Sequence, residues 1–344
     1  MKKFNIAFVA DYNCGRVKKE ATALKDLGHN MILVTARDRF MEPYSTVCLY
    51  KSMEVFESTV MNLRKHVDFW HVHSDPLHQV QMIRSILPKA KIIASLHDSN
   101  YWYYGKQTVN IGKENIHWYE EDVAVMCADG FVVPSPEARK ELKTRTDKPI
   151  IDLPPACPVA WNVNRTHGYR GGLVNEGGHV IGKRFSYDKW RDYTDIYKQL
   201  RGKREVFAYS PLWGKNHELD DYYIQTGAKL AKFGFTELVD RLGEHTWNLV
   251  GNLGDHKVFE YNIHNKLFDG LAAGIPSVVF GSKPSGDIVL KYDIGIVCKT
   301  VDELLERWDE HVEKRRNVWL RRKELSMENF IGRLVKLYET LYES

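Results

Sequence analysis

The sequence predicts an α/β protein made of two Rossmann-like, doubly wound domains that face each other across a cleft, with helices closing the C-terminus. Three observations lead there. Short apolar runs of strand length alternate with stretches of helical spacing along most of the chain. The alternation breaks at Leu153-Pro154-Pro155-Ala156-Cys157-Pro158, where prolines remove backbone donors and fix φ. The length, 344 residues, exceeds the usual size of one domain. The expected boundaries are 1–160, 161–325 and a last helix, 326–344, packed back on the first domain.

The first half opens with an apolar run over 4–10, Phe-Asn-Ile-Ala-Phe-Val-Ala. Val17, Ala21, Leu24 and Leu27 then recur at helical spacing until Gly28, and Met31 to Thr35 begins the next strand. A strand, helix, strand unit closes with a right-handed crossover, which makes its two strands parallel. Phe69 to Val72, Ile92 to Leu96 and Phe131 to Val133 read as further strands. Each is followed by turn or helix-start residues: Ser74-Asp75-Pro76, His97-Asp98-Ser99 and Ser135-Pro136. Functional side chains of such sheets gather at these carboxyl ends.

Beyond the prolines the pattern restarts. Leu173-Val174 is followed by a glycine turn at Gly177-Gly178, a polar helix from Tyr187 to Leu200 and a strand from Val206 to Tyr209. Trp247 to Val250, the helix Lys266 to Ala273 and the strand Pro276 to Phe280 complete a second sheet. From Val301 the chain reads as charged helix, with Leu304, Leu305, Trp308 and Val312 on one face, then Phe330, Leu334, Leu337 and Leu341 on another.

Composition narrows the function. Lys and Arg number 49 against 45 Asp and Glu, a net +4 that does not demand a polyanionic partner. The cysteines Cys14, Cys48, Cys127, Cys157 and Cys298 are scattered, without zinc or redox spacing, which suits a reducing cytosol. The apolar run after Met1-Lys2-Lys3 stops at Asp11, short of a signal peptide, and no stretch approaches the roughly 18 apolar residues of a membrane span. The expected location is the cytoplasm, with the inner membrane surface as an option. That option rests on Lys314, Arg315, Arg316, Arg321, Arg322 and Lys323, with Trp319 and Leu320 dipping into an anionic bilayer; a solvated helix face is the plainer reading.

The most specific segment runs from His264-Asn265-Lys266-Leu267-Phe268-Asp269 through Gly270-Leu271-Ala272-Ala273-Gly274-Ile275-Pro276. It reads as a helix stopped by a left-handed Gly274 and a proline that starts a buried strand. The free N–H groups at such a helix start attract phosphate, and Asp269 can accept hydrogen bonds from both hydroxyls of a ribose. The segment closely resembles the donor-nucleotide motif of GT-B glycosyltransferases, in particular the retaining family four and its bacterial polysaccharide-type members. In that family an acidic residue grips the donor ribose, and Asp269 takes its place. Many members carry a second glutamate eight positions earlier, where this chain has Tyr261.

The resemblance extends along the chain and implies the remaining site. Cys14, Gly15 and Arg16, between the first strand and helix, stand where the family sets a glycine-bearing loop against donor phosphate and acceptor. Asp68-Phe69-Trp70-His71-Val72-His73 and Ser95-Leu96-His97-Asp98 match its two histidine-bearing strand ends. His97, oriented by Asp98, is the candidate for proton transfer at the reacting centre, while a packed structural role is the alternative, above all for His71 and His73. Gly178, Lys183 and Arg184 resemble the first loop of the nucleotide domain, where cations stabilise the leaving diphosphate. Asn265, Lys266 and Leu267 complete the donor set, and Lys215 is a further cation for it.

No Asp-any-Asp pair stands at a strand end and no His/Cys cluster has zinc spacing, so the expectation is no metal and no cofactor beyond a nucleoside diphosphate sugar as co-substrate. The first domain is then the acceptor side and the second the nucleotide-sugar side. Expected partners are the nucleotide sugar and a glycan or lipid-linked acceptor, with a nucleic-acid base as a minority option. Two rivals stay open: a sugar-nucleotide 2-epimerase of the same fold, and a non-catalytic sugar-nucleotide-binding subunit.

Overall fold

The computed structural model describes residues 2–11, 14–37, 42–73, 78–97, 99, 101–102, 109–111, 114–116, 118–164, 170–177, 189–211, 221 and 224–344. It divides into two compact units, Met1–Pro158 with Met327–Ser344, and Val159–Ser326.

The first unit runs β1 (Asn5–Ala10), α1 (Gly15–Asp26), β2 (Asn30–Thr35), β3 (Thr46–Leu49), α2 (Met53–Leu63), β4 (Phe69–Val72), α3 (His78–Ile86) and β5 (Ile92–Ser95). It continues with a small hairpin, β6 (Val109–Ile111) and β7 (Glu114–Ile116), then α4 (Trp118–Cys127), β8 (Gly130–Val133), α5 (Pro136–Leu142) and β9 (Ile150–Asp152). Its main sheet is parallel, in the order β3-β2-β1-β4-β5-β8-β9. Strands β1, β4, β5 and β8 are buried almost throughout, because helices cover both faces of a parallel sheet and leave no solvent side to alternate with. Ser135 caps α5 by accepting from Ala138 N at 3.0 Å, with Pro136 in the first turn, the helix start that Ser135-Pro136 announces.

The second unit contains β10 (Leu173–Glu176), α6 (Thr194–Leu200), β11 (Val206–Pro211), β12 (Lys229–Phe233), α7 (Phe235–Leu242), β13 (Trp247–Gly251), α8 (Asn265–Ala273), β14 (Ser277–Phe280), α9 (Lys283–Tyr292), β15 (Gly295–Val297), α10 (Val301–Glu306) and α11 (His311–Arg321). Its sheet is also parallel, in the order β12-β11-β10-β13-β14-β15. One face of that sheet is filled by Tyr193, Tyr197, Leu200, Trp247, Leu304 and Trp308.

Two sequence expectations change here. The helix that ends at Leu200 starts at Thr194, where the Asp192 carboxylate accepts from Thr194 N and Oγ1 and fixes the first turn; the expected start, Tyr187, lies outside the described residues. The apolar face expected from Leu304 to Val312 is broken. The Trp308 carbonyl accepts from the Trp247 indole and contacts the His311 ring, and a 3₁₀ turn at Trp308–Glu310 separates α10 from α11. Val312 consequently stands 68% exposed while Leu304 is buried.

The basic run is largely spent within its own unit. Lys314 pairs with Asp293 at 2.6 Å, Arg321 with Glu324 at 2.9 Å, and Arg315 donates to main-chain oxygens of Gly243 and His245. Arg322 is buried, donating to Val163 O at 2.8 Å and Asn164 Oδ1 at 3.1 Å. Those four cations have partners within their own unit, while Trp319 and Leu320 are exposed. Among the described residues, no helix is long and apolar enough to cross a membrane.

The last helix, α12 (Gly332–Glu343), belongs to the first unit, where it packs against β8 and β9. Leu334, Leu337, Tyr338 and Leu341 are buried, and Arg333 binds Asp152 at the end of β9 at 2.6 Å. A buried leucine cut to alanine costs about 2–5 kcal/mol. Leu337→Ala is therefore expected to lower the unfolding free energy read from urea denaturation by that amount, whereas the exposed Leu290→Ala is expected to leave it unchanged within about 0.5 kcal/mol.

Candidate functional site

In each sheet the strand order reverses beside the first strand, between β1 and β4 and between β10 and β13. Where neighbouring crossovers leave in opposite directions, the carboxyl ends part and open a crevice, the usual ligand position in such sheets.

In the second unit α8 begins at this crevice. It is set on the sheet by close backbone contact: a Cβ at Gly270 would lie 2.4 Å from Asn248 Nδ2 of β13, and that amide donates to Lys266 O at 2.7 Å. Gly274 ends the helix in the left-handed region, φ 79°, ψ 25°, which glycine adopts without a Cβ clash. Lys266 lies half-buried in the first turn. Its Nζ donates to Asn175 Oδ1 at 2.5 Å and Tyr193 Oη at 2.8 Å, and sits 4.5 Å from the Tyr193 ring centroid. These partners are neutral, so they fix the ammonium group without cancelling its charge. The turn after β10 adjoins it, since a Cβ at Gly177 would lie 3.6 Å from Lys266 Cε.

His264, the N-cap of α8, is neutral: burial, then Lys266 and Arg191, push its imidazole down to about 3. Asn265 is exposed at the helix start, and Asp269 is 3% exposed and already partnered. Leu267 is fully buried in the core, so its side chain is structural, and its N–H donates to His264 O at 3.2 Å. Gly178, Lys183, Arg184 and Lys215 lie outside the described residues.

In the first unit, Cys14 precedes α1 and Gly15 is its first residue. Arg16 does not face a ligand loop. It is 2% exposed, with Nε donating to Glu20 Oε1 at 3.1 Å and a terminal nitrogen to Leu153 O at 2.9 Å, while Lys19 donates to Pro155 O at 3.1 Å. Both cations tie α1 to the proline-rich segment after β9.

His71 is structural: one ring nitrogen meets Tyr338 Oη and the other Ser95 Oγ, each at 2.7 Å. His73 stacks on His71 with centroids 4.1 Å apart, and its Nδ1 lies 3.4 Å from His97 Nε2. Burial holds all three imidazoles below the usual value, His71 at about 3, with the Arg16 charge adding to each. His97 is half-buried, and Asp98 lies outside the described residues.

Glu20 is the residue that sequence reasoning missed here. It shares the helical face of Val17, Ala21 and Leu24, and a charge on an apolar stripe was the available signal. Asn175 and Tyr193 carried no such signal, because only folding brings them to Lys266.

No protein-family model matches this sequence, and neither does any curated protein. Solved structures do match, over nearly the whole chain. Sucrose-phosphate synthase from Thermosynechococcus elongatus superposes with a TM-score of 0.73 at 10% identity, covering 98% of this chain and 99% of that one. HepE from Anabaena, in complex with UDP-glucose, gives 0.69 at 10% identity, covering 99% and 100%. An α-glucosyltransferase in complex with UDP and a 13-mer DNA containing an HMU base gives 0.68 at 12% identity, covering 99% and 100%.

The chain has the GT-B fold. At such identities the likeness is one of architecture alone.

The buried imidazoles set a pH dependence. Their folded values lie below 6.5, so as pH falls through about 6.5 the unfolded chain takes up protons first and stability is lost. Glu20, raised by burial against the pull of Arg16, works the other way, one group against several. Each neutral imidazole such as His71 or His264 removes up to about 1.4 kcal/mol per pH unit. Urea midpoints are expected to be level above about pH 7 and to fall steeply from about pH 6.5 toward pH 4, a trend that denaturation at stepped pH would check.

Proposed function

We propose that this chain transfers a glycosyl group from a nucleoside diphosphate sugar, held mainly by the second unit, to an acceptor bound mainly by the first. The observation that carries the reading is Lys266, a half-buried ammonium in the first turn of α8, fastened to the neutral Asn175 and Tyr193 at the reversal of the sheet. A helix start with an uncancelled cation and free main-chain N–H groups attracts an anion, and a diphosphate supplies one. Asp269, one turn further on, meets the ribose hydroxyls, which replace its present partners. The donor motif's resemblance to glycosyltransferase family four supports this donor class, as does the likeness to HepE with UDP-glucose bound.

Charge grows on the leaving diphosphate during transfer, and cations already in place lower that barrier directly. Lys266 fills this role, joined by Lys183 and Arg184, so the reaction needs no metal at the diphosphate. His97, with Asp98 beside it, handles the proton of the acceptor hydroxyl, for which a neutral imidazole is suited. Retention of anomeric configuration follows from the family-four resemblance. The acceptor is a growing glycan or a lipid-linked sugar. A nucleic-acid base is the second reading, favoured by the likeness to the α-glucosyltransferase bound to UDP and DNA. A steep salt dependence of oligonucleotide binding would select it.

Thermal unfolding with a panel of nucleoside diphosphates and their sugars tests the donor site. Ligand at about 100 times its dissociation constant stabilises by about 2.7 kcal/mol. The wild-type chain is expected to respond to at least one donor, and Asp269→Ala and Lys266→Ala to lose most of that response. An Asp269→Ala chain that shifts as far as wild type would remove the assignment. Product analysis with the responding donor separates transfer or hydrolysis from isomerisation of the donor alone, the mark of an epimerase.

A further inference from the structure

Glu20 on α1, His73 after β4 and His97 after β5 each offer a donor atom, and the three atoms lie within 4.8 Å of one another. The residues are far apart in sequence, so no local spacing announces the cluster. Two features set it apart from ordinary packing. Buried polar atoms nearly always have a partner, yet among the described residues Glu20 Oε2 is buried with none. The facing nitrogens His73 Nδ1 and His97 Nε2 are 3.4 Å apart, long for a hydrogen bond. That separation does match the edge of a tetrahedron around a metal with bonds of about 2.0–2.1 Å, which is about 3.3–3.4 Å.

We propose that Glu20, His73 and His97 bind one divalent ion of the zinc class. Two imidazole nitrogens and one carboxylate oxygen favour zinc or cobalt over magnesium or calcium, whose preference is for oxygen ligands. Arg16 Nε holds Glu20 Oε1 at 3.1 Å, leaving Oε2 for the metal and giving the carboxylate the outer hydrogen bond that orients such ligands. The guanidinium charge opposes the cation, so affinity depends on the imidazoles. Three protein ligands leave a fourth position for water, on the side where His97 is half-buried. The site lies in the first unit and goes beyond the donor reading; a metal-bound Nε2 cannot take a proton, so in the metal-bound chain this role replaces the proton transfer assigned to His97 above, and metal binding is measured with no sugar nucleotide present, so the donor reading and this one can fail separately.

The test uses the full chain, stripped with a chelator and titrated with Co²⁺ and Zn²⁺. One equivalent of Co²⁺ is expected, with the visible absorption of a four-coordinate ion that Zn²⁺ displaces, and Zn²⁺ but not Mg²⁺ is expected to raise the unfolding temperature. Glu20→Gln and His97→Ala are each expected to weaken Zn²⁺ binding by at least about tenfold. His97 is the less buried of the two histidines, and circular dichroism of His97→Ala confirms that the chain remains folded. Binding below about 0.1 equivalent overturns the proposal, as does binding that a folded His97→Ala chain retains at full strength.

Discussion

A strand that must run parallel to its neighbour can reach its place only by crossing over the face of the sheet, and those crossovers have one hand. Both units obey this constraint and resolve it in the same way. Each begins in the middle of its sheet, lays its next strands to one side, then returns to build the other. The reversal opens the carboxyl ends beside β1 and β10, and α1 and α8 begin there. Lys266, in the first turn of α8, is placed by that geometry.

Around α8, bare backbone does the positioning. Gly270 lets the helix rest on Asn248, and Asn248 in turn holds the Lys266 carbonyl, so the strand sets the depth of the helix start. Lys266 then reaches across to the β10 side through Asn175 and Tyr193. An ammonium group loses much of its hydration when half-buried, and neutral acceptors repay part of that loss without removing the charge. The outcome is a fixed cation at the positive end of a helix, which favours an anion there.

The first unit spends its polarity differently. Arg16 and Glu20 form a buried pair, and His71 bridges Tyr338 of the last helix to Ser95 of β5. Removing one partner of a buried pair typically costs about 3–5 kcal/mol, so Arg16 and Glu20 depend on each other. Ties from Arg16 and Lys19 to Leu153 and Pro155 anchor the proline-rich segment to α1. The basic residues of α11 are likewise held by their own unit, through Asp293, Glu324 and main-chain oxygens. A charge seen in sequence is available to a partner only when its own fold leaves it free.

The sequence by itself determined the α/β class, the parallel order of its strands and the helix of the donor motif with its left-handed stop at Gly274. Those features are local: apolar periodicity, a crossover of one hand, a glycine and a proline at a helix end. Helix starts were legible only in part, because the start at Thr194 is set by the Asp192 carboxylate, a contact that periodicity does not register. Tertiary structure alone decided the direction of each polar side chain. It turned Arg16 inward, made Leu267 core, exposed Val312, set Asn175 and Tyr193 around Lys266, and gathered Glu20, His73 and His97. A side chain's partner is chosen by proximity in space and by the cost of leaving a buried polar atom unpaired, and neither quantity exists until the sheet has closed.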